Sequence, residues 1–127
     1  NYEVRNRRFF IKENSKFMPD DFDDEISLGI ITEKGLVVIV GCSHIGIINI
    51  LKTISKRINI PIYAVIGGTH LIEADEKRIK KTISTLREMN IQLIATSHCT
   101  GEKGIRLISE EMKEQFQYNN TGNVIEI

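Results

Sequence analysis

Short apolar runs alternate with amphipathic helical segments along most of this chain of 127 residues. The runs Leu36–Val40, Ile62–Ile66 and Ile91–Thr96 have the length of strands and almost no polar interruption. Each is followed by a segment in which apolar residues recur at helical spacing, at 45–58, 74–89 and 104–113. Because a helix carries the chain back to where the next strand begins, this alternation is typical of parallel strands. The sequence therefore predicts an α/β fold.

The N-terminal part of the chain precedes this alternation. Residues Tyr2–Lys12 mix β-forming side chains with arginines, which predicts a terminal or edge strand. Residues 14–24 are rich in Asn, Ser and Asp, a composition typical of a loop. Ile26–Thr32 and the next apolar run flank the turn residues Glu33-Lys34-Gly35, which indicates a β-hairpin that leads into the core.

The C-terminal tail continues the β pattern after the third helix. Residues 116–127 are predicted to form two short strands around the turn residues Asn119–Gly122. At this length the chain forms one domain. We expect the domain to span 1–127, with an arm and loop at 1–23 and the α/β unit at 24–127.

All three histidines and both cysteines lie at the C-terminal ends of apolar runs, as Cys42, His44, His70, His98 and Cys99. Parallel strands gather their C-terminal ends at one edge of a sheet, so these side chains are expected to share that edge, which we call the rim. Three imidazoles with a thiolate or carboxylate can bind zinc, iron or manganese, and three protein ligands suffice for a catalytic site. Water bound to such a metal is a nucleophile.

Each of these residues also has a simpler interpretation. A histidine can be a hydrogen-bonded loop residue, and a cysteine can be a small buried side chain, although Cys42 is the better ligand of the two. Ser43 next to His44 does not form a hydrolase triad, since adjacent residues on extended backbone point in opposite directions. The acidic residues at 20–25 are typical of a solvated loop, with the alternative that one carboxylate reaches the metal. Thr69 and Thr100 are expected to cap the following helices, with the alternative that they bind phosphate or substrate hydroxyls.

Composition limits the partners. Seventeen basic residues balance seventeen acidic ones, so the net charge gives no argument for nucleic acid or an anionic membrane. No basic stripe or aromatic platform predicts RNA binding, and no apolar stretch approaches the roughly 18 to 20 residues of a membrane span. We expect a cytoplasmic protein that acts on a small molecule.

Three motifs in this order and spacing resemble the metallo-β-lactamase superfamily: Gly41-Cys-Ser-His-Ile-Gly46, Gly67-Gly-Thr-His-Leu71 and Ser97-His-Cys-Thr-Gly101. The similarity is greatest to its dihydropterin ribofuranosylaminobenzene phosphate synthase branch and covers residues from about 24 onward. It implies a dinuclear metal hydrolase fold, an αββα sandwich. The superfamily's first metal motif, His-x-His-x-Asp-His, is absent from this chain, so the match implies the C-terminal half of that sandwich.

Such a half would be a two-layer, ferredoxin-like α/β sheet with its helices mainly on one face. The resemblance implies that His98 is the late histidine ligand, that Cys42 or His44 stands where the superfamily has its bridging carboxylate, and that His70 assists substrate binding or proton transfer. We therefore expect His44, His98 and Cys42 to hold zinc, with iron or manganese as alternatives, and His70 to be catalytic. The site holds no metal if it is vestigial.

Two functions follow as expectations. The first is a truncated metal-dependent hydrolase that acts on a phosphoester or a related bond. The second is a non-catalytic binding or dimerisation module, because half of a sandwich exposes the sheet face that normally meets the other half. That face predicts a homodimer or association with another surface.

Overall fold

The computed structural model describes Glu3 and residues 7–127. Two strands form a hairpin near the N-terminus, β1 (Phe10–Glu13) and β2 (Lys16–Pro19). The α/β unit then contains, in order, β3 (Ser27–Thr32), β4 (Gly35–Val40), α1 (Ile47–Ile58), β5 (Ile62–Gly67), α2 (Glu76–Glu88), β6 (Leu93–Thr96), α3 (Gly101–Met112) and β7 (Phe116–Tyr118). A single 3₁₀ turn at His98–Thr100 joins β6 to α3.

The main sheet has five strands in the order in which they occur along the chain, β3-β4-β5-β6-β7. β3 and β4 form the predicted antiparallel hairpin, while β4, β5, β6 and β7 are parallel to their neighbours. The crossovers after β4, β5 and β6 each contain a helix, the usual connection between parallel strands. The C-terminal ends of these strands therefore meet at the rim.

The helices of the described residues pack on one face of the sheet. Val38 on β4, Val65 on β5 and Ile94 on β6 are neighbours in register and fully buried. They share one core cluster with the inward residues of α1, α2 and α3. The fold is thus a two-layer α/β arrangement, which confirms the expected class and the position of the helices.

The helices begin and end close to the predicted positions. Asn59 is the C-cap of α1. Its backbone is left-handed, and its amide donates a hydrogen bond to the Ser55 carbonyl. α2 begins at Asp75, whose side chain accepts a hydrogen bond from the Arg78 amide at 2.7 Å. None of the helices in the described part of the chain is long and apolar enough to cross a bilayer.

The N-terminal arm and the tail differ from prediction. Residues 14–24 were expected to be a loop, yet β2 lies within them and pairs with β1. The hairpin register places Phe10 opposite Pro19, so the turn at Asn14-Ser15 is the part that matches the polar composition. Residues 2 and 4–6 of the expected arm strand lie outside the described residues. In the tail, β7 lies before the Asn-rich turn, and residues 119–127 contain turns without a second strand.

The outer face of the sheet, opposite the helices, is apolar and partly exposed. Leu28 and Ile30 of β3 point to this face with 55% and 44% of their surface exposed. Their register partners on β4 are Ile39, which is partly exposed, and Val37, which is buried. The expected exposure of the sheet is therefore found at its β3 end.

Candidate metal centre

The rim is built from three loops, each of which has one residue with a strained backbone. Ser43, His70 and His98 have φ values of 62°, 48° and 53°, in the left-handed region that side chains other than glycine seldom adopt. One of these residues follows each of the strands β4, β5 and β6. Such strain persists only where surrounding contacts impose it, and it concentrates at functional sites.

Two thiols and one imidazole form the first group of ligand atoms, which we call the thiol cluster. Cys42 Sγ, a ring nitrogen of His98 and Cys99 Sγ all lie within 4.8 Å of one another. Cys42 and Cys99 are partly buried and are not joined in a disulfide, while His98 is exposed. Burial raises the pKa of the Cys99 thiol to about 11, and the neighbouring Cys42 adds to the shift.

The second group consists of His44 and His70, which we call the histidine pair. Their ring centroids are 4.8 Å apart at an angle of 58°. Glu25 Oε1 lies 2.9 Å from His44 Nδ1 and also accepts the His44 amide at 2.8 Å. Because Nδ1 is engaged by the carboxylate, Nε2 of His44 is left as the ring atom that can bind a metal or substrate.

His70 has no hydrogen-bond partner for either ring nitrogen among the described residues, although both atoms are buried. Burial lowers the pKa of its imidazole, and the neighbouring His44 lowers it further. Buried polar atoms without a partner are uncommon and call for an explanation such as an absent ion or ligand. The neutral ring of His70 therefore has a free acceptor nitrogen beside His44.

Aromatic rings from the N-terminal segment cover the histidine pair. Phe22 stacks on His44, with ring centroids 4.6 Å apart and planes 6° from parallel. Phe9, from the segment just before β1, meets both His44 and His70 edge to face or tilted. These two phenylalanine rings cover one side of the histidine pair. The N-terminal segment therefore supplies apolar contacts to the rim.

Small residues and hydroxyls hold the three loops together. The Ser43 hydroxyl is buried and donates to the Gly68 carbonyl at 2.7 Å, so Ser43 has a structural role and no triad is formed. The Thr69 hydroxyl bonds the Thr100 hydroxyl at 3.0 Å, and both residues are fully buried. The expected capping role is wrong for Thr100, which makes no side-chain cap hydrogen bond at α3. The two threonines instead tie the second motif to the third.

The five predicted residues all reach the rim, but the structure divides them. His98 and Cys42 lie in the thiol cluster, whereas His44 lies beside His70, which was expected to act on substrate. Two contributors were under-rated from sequence. Cys99 joins the thiol cluster, a role signalled only by its position directly after His98, and Glu25, one residue of the acidic run, contacts His44.

The thiol cluster fits a metal ion. Zinc bonds of about 2.0–2.3 Å to nitrogen and sulfur place the ligand atoms of a tetrahedral site roughly 3.3–3.8 Å apart. The three atoms of the cluster lie within 4.8 Å of one another, so they need to approach by no more than about 1.5 Å to reach that spacing.

In the histidine pair, the Glu25 carboxylate on His44 Nδ1 is the outer contact that metal-binding histidines typically have.

Comparisons with known proteins find two relatives by sequence. The chain is 46% identical over 114 residues to the 7,8-dihydropterin-6-methyl-4-(beta-D-ribofuranosyl)-aminobenzene-5'-phosphate synthase of Methanocaldococcus jannaschii, a match that covers 89% of the chain and 39% of that protein. It is 29% identical over 126 residues to an uncharacterised protein of the same organism, covering 99% of the chain and 46% of that protein. No family model matches.

A solved structure described as a metal-dependent hydrolase of the beta-lactamase superfamily matches with a TM-score of 0.93 and 34% identity. The match covers 99% of this chain and 49% of that one. The chain therefore has the fold of part of a metallo-β-lactamase superfamily protein, as its three motifs predict.

Within that superfamily the chain is similar to the dihydropterin ribofuranosylaminobenzene phosphate synthase branch. It spans between 39% and 49% of the length of the three matched proteins described above.

Proposed function

We propose that this chain carries part of the metal centre of a metal-dependent hydrolase that acts on a phosphoester or a related bond. The observation that carries the proposal is the meeting of thiol and imidazole ligands at a rim where Glu25 also orients His44. Support comes from the matching structure, which is described as a metal-dependent hydrolase. The synthase relative is named for a phosphate-bearing product, which favours a substrate of that class.

The ligands are proposed to serve two adjoining positions, as a dinuclear site requires. His98 and Cys42 hold zinc at the thiol cluster. His44 offers Nε2 to the adjoining position, because Glu25 engages its other ring nitrogen. Thiolate and imidazole ligands favour zinc over the harder manganese ion.

His70 is proposed to be catalytic. Burial lowers the pKa of its imidazole, which favours the neutral form, and the ring lies beside that of His44. A neutral imidazole in this place can accept a proton or hydrogen bond from substrate or water. A bound zinc ion supplies Lewis acidity toward a phosphoryl oxygen and acidifies water at the site.

Hydrolysis of bis-nitrophenyl phosphate tests the catalytic part. The zinc-loaded chain should release nitrophenolate faster than an equal concentration of zinc in buffer, and a chelator should abolish the difference. His70→Ala should lower kcat by about 10²–10⁴-fold, the usual contribution of a general acid or base. A rate equal to that of free zinc would overturn the proposal for this chain.

A second candidate function is association of two copies through the outer face of the sheet. The observation that favours it is the exposure of Leu28 and Ile30 side by side on one face. The outward positions of the next strands are also apolar: Ile39, Ile66 and Leu93 are partly exposed, whereas Val37, Ala64 and Ala95 are already buried within the chain. A second copy offers the same apolar surface, so a twofold pairing buries both.

Sedimentation equilibrium at several concentrations tests this association. The wild-type chain should show a mass that rises toward that of a dimer, and Leu28→Lys with Ile30→Lys should return it to the monomer. Ile26→Lys is the control, because Ile26 is 82% exposed and precedes β3. A wild-type chain that stays monomeric throughout would exclude the dimer.

A further inference from the structure

Cys99 has no part in the ligand set proposed above, yet its sulfur is in the thiol cluster. Its Sγ lies within 4.8 Å of both Cys42 Sγ and a His98 ring nitrogen. It also lies 3.3 Å from the Cys42 carbonyl oxygen. The Cys99 side chain thus points toward Cys42, in the loop that follows β4.

The surroundings of Cys99 differ from those of a cysteine that serves only to fill the core. Cys99 is partly exposed and is not a member of the hydrophobic core cluster. The thiol instead occupies space left by Gly68, where a Cβ atom would come within 2.5 Å of Cys99 Sγ. The Gly68 amide donates a hydrogen bond of 2.9 Å to the Gly41 carbonyl, which fixes the backbone there. The space that the thiol occupies is therefore set by the backbone.

We infer that Cys99 is a metal ligand, which joins Cys42 and His98 in a site with two thiolates and one imidazole. The inference rests on the proposed function and deepens it by naming the third ligand and the preferred metal. On coordination each thiol releases one proton to solvent. Three protein ligands leave a fourth position open, as in known catalytic zinc sites with two cysteines and one histidine. Two thiolates make the site selective for zinc over manganese.

Cobalt substitution counts the thiolates. The metal-free chain titrated with Co²⁺ should develop a near-ultraviolet thiolate-to-cobalt charge-transfer band together with visible ligand-field bands. Per bound cobalt, Cys99→Ser and Cys42→Ser should each lower the charge-transfer band by about half, as expected if each removes one of two thiolate ligands. Thr53→Ala, at an exposed position of α1 outside the rim, should retain the full band. A Cys99→Ser band equal to that of the wild type would overturn the inference.

Thiol protection in the wild-type chain gives a test that needs no substitution. Zinc should slow alkylation of both cysteines by iodoacetamide, with mass spectrometry to locate the modified residues, and a chelator should restore the rate. An equal excess of manganese should protect neither thiol.

The outcomes separate this inference from the proposed function. Zinc binding with protection of Cys42 alone would leave the metal centre intact and exclude Cys99 as a ligand. Zinc binding with no protected thiol would exclude the thiolate site while leaving the histidines. A chain that binds neither zinc nor cobalt would overturn both proposals.

Discussion

At the scale of single residues, the rim depends on contacts that leave no room for a side chain. Gly68 is the clearest case, because a Cβ atom there would lie 2.5 Å from Cys99 Sγ and 2.8 Å from the Gly41 carbonyl oxygen. Gly67 has a φ of 130° and packs against the backbone of Val40. These two glycines bring the loops after β4 and β5 into contact, and Cys99 from the loop after β6 packs against Gly68.

Gly68→Ala should destabilise the fold by about 1–3 kcal/mol, the usual cost of overpacking. Gly41→Ala is the matched control, because no atom lies within 4 Å of the Cβ position there, and its effect should be within about 0.5 kcal/mol. Urea unfolding measures both. Equal stabilities for the two variants would contradict the close approach of Cys99 to Gly68.

Glu3 makes the stability depend on pH. Its carboxylate is buried and accepts the Asn49 amide at 2.8 Å in the first turn of α1. Burial raises the pKa of this carboxyl from its ordinary value of 4.5, although amide hydrogen bonds and the charges of Arg78 and Lys52 oppose the shift. Because the folded-state pKa is the higher one, the stability contributed by Glu3 is complete below pH 4.5 and is lost as pH rises through the folded-state pKa.

Glu3→Gln removes this titration. The wild-type chain should therefore lose stability relative to Glu3→Gln as the pH rises from about 4 to about 7. Urea unfolding of both proteins across that range measures the difference, in which the contributions of the other carboxyls cancel. A difference that stays constant, or that moves in favour of the wild type, would contradict the burial of Glu3.

At the scale of elements, α2 is tied to the site through the loop that carries His70. This loop leaves β5, passes His70 and Leu71, and enters α2 at Asp75, whose side chain caps the helix. Thr69 and Leu71, the residues on either side of His70, are both buried, so the loop is anchored before and after the imidazole. The cap thus holds one end of the segment that positions the imidazole.

Asp75→Ala should cost about 1 kcal/mol, because it leaves the Arg78 amide without its acceptor. Asp75→Asn should cost only a few tenths of a kcal/mol, since asparagine is an equally good cap. Thermal unfolding of the two variants gives the comparison. If both lose the same stability, the cap hydrogen bond does not account for the effect.

The elements of the α/β unit were predictable because each has a strong local pattern. The runs that became β4, β5 and β6 contain few polar residues, and α1 to α3 carry an apolar stripe, so periodicity alone locates them within a few residues. The β1–β2 hairpin was not predictable in this way. Phe10, Ile11, Phe17 and Met18 remain exposed, so no burial pattern marks the strands.

The sequence predicted that the histidines lie at one edge of the sheet, but it did not predict which of them are in contact there. Parallel topology brings the strand ends together, and that sufficed to gather His44, His70 and His98. Which side chains meet depends on the left-handed backbone at His70 and His98 and on the packing of Phe22 against His44. These are tertiary effects, and the sequence order of the ligands contains no direct signal for them.

At the scale of the whole molecule, the chain is a two-layer unit with candidate metal ligands at its rim and an apolar outer face. We expect it to unfold as one cooperative domain over residues 1–127, since one core cluster joins its helices to the sheet. The matched proteins are longer, with the chain covering 39% to 49% of each. The rim is therefore proposed as part of a larger centre.

Calorimetric titration of the metal-free chain with zinc tests the binding of metal at the rim most directly. The wild-type chain should bind at least one equivalent tightly, with elemental analysis of the dialysed protein to confirm the stoichiometry. His98→Ala should lose the tight site, and because His98 is exposed the variant should keep its circular dichroism spectrum. His70→Ala should retain that site. A wild-type chain that takes up no zinc, or a His98→Ala variant that binds zinc as the wild type does, would contradict the proposed metal centre.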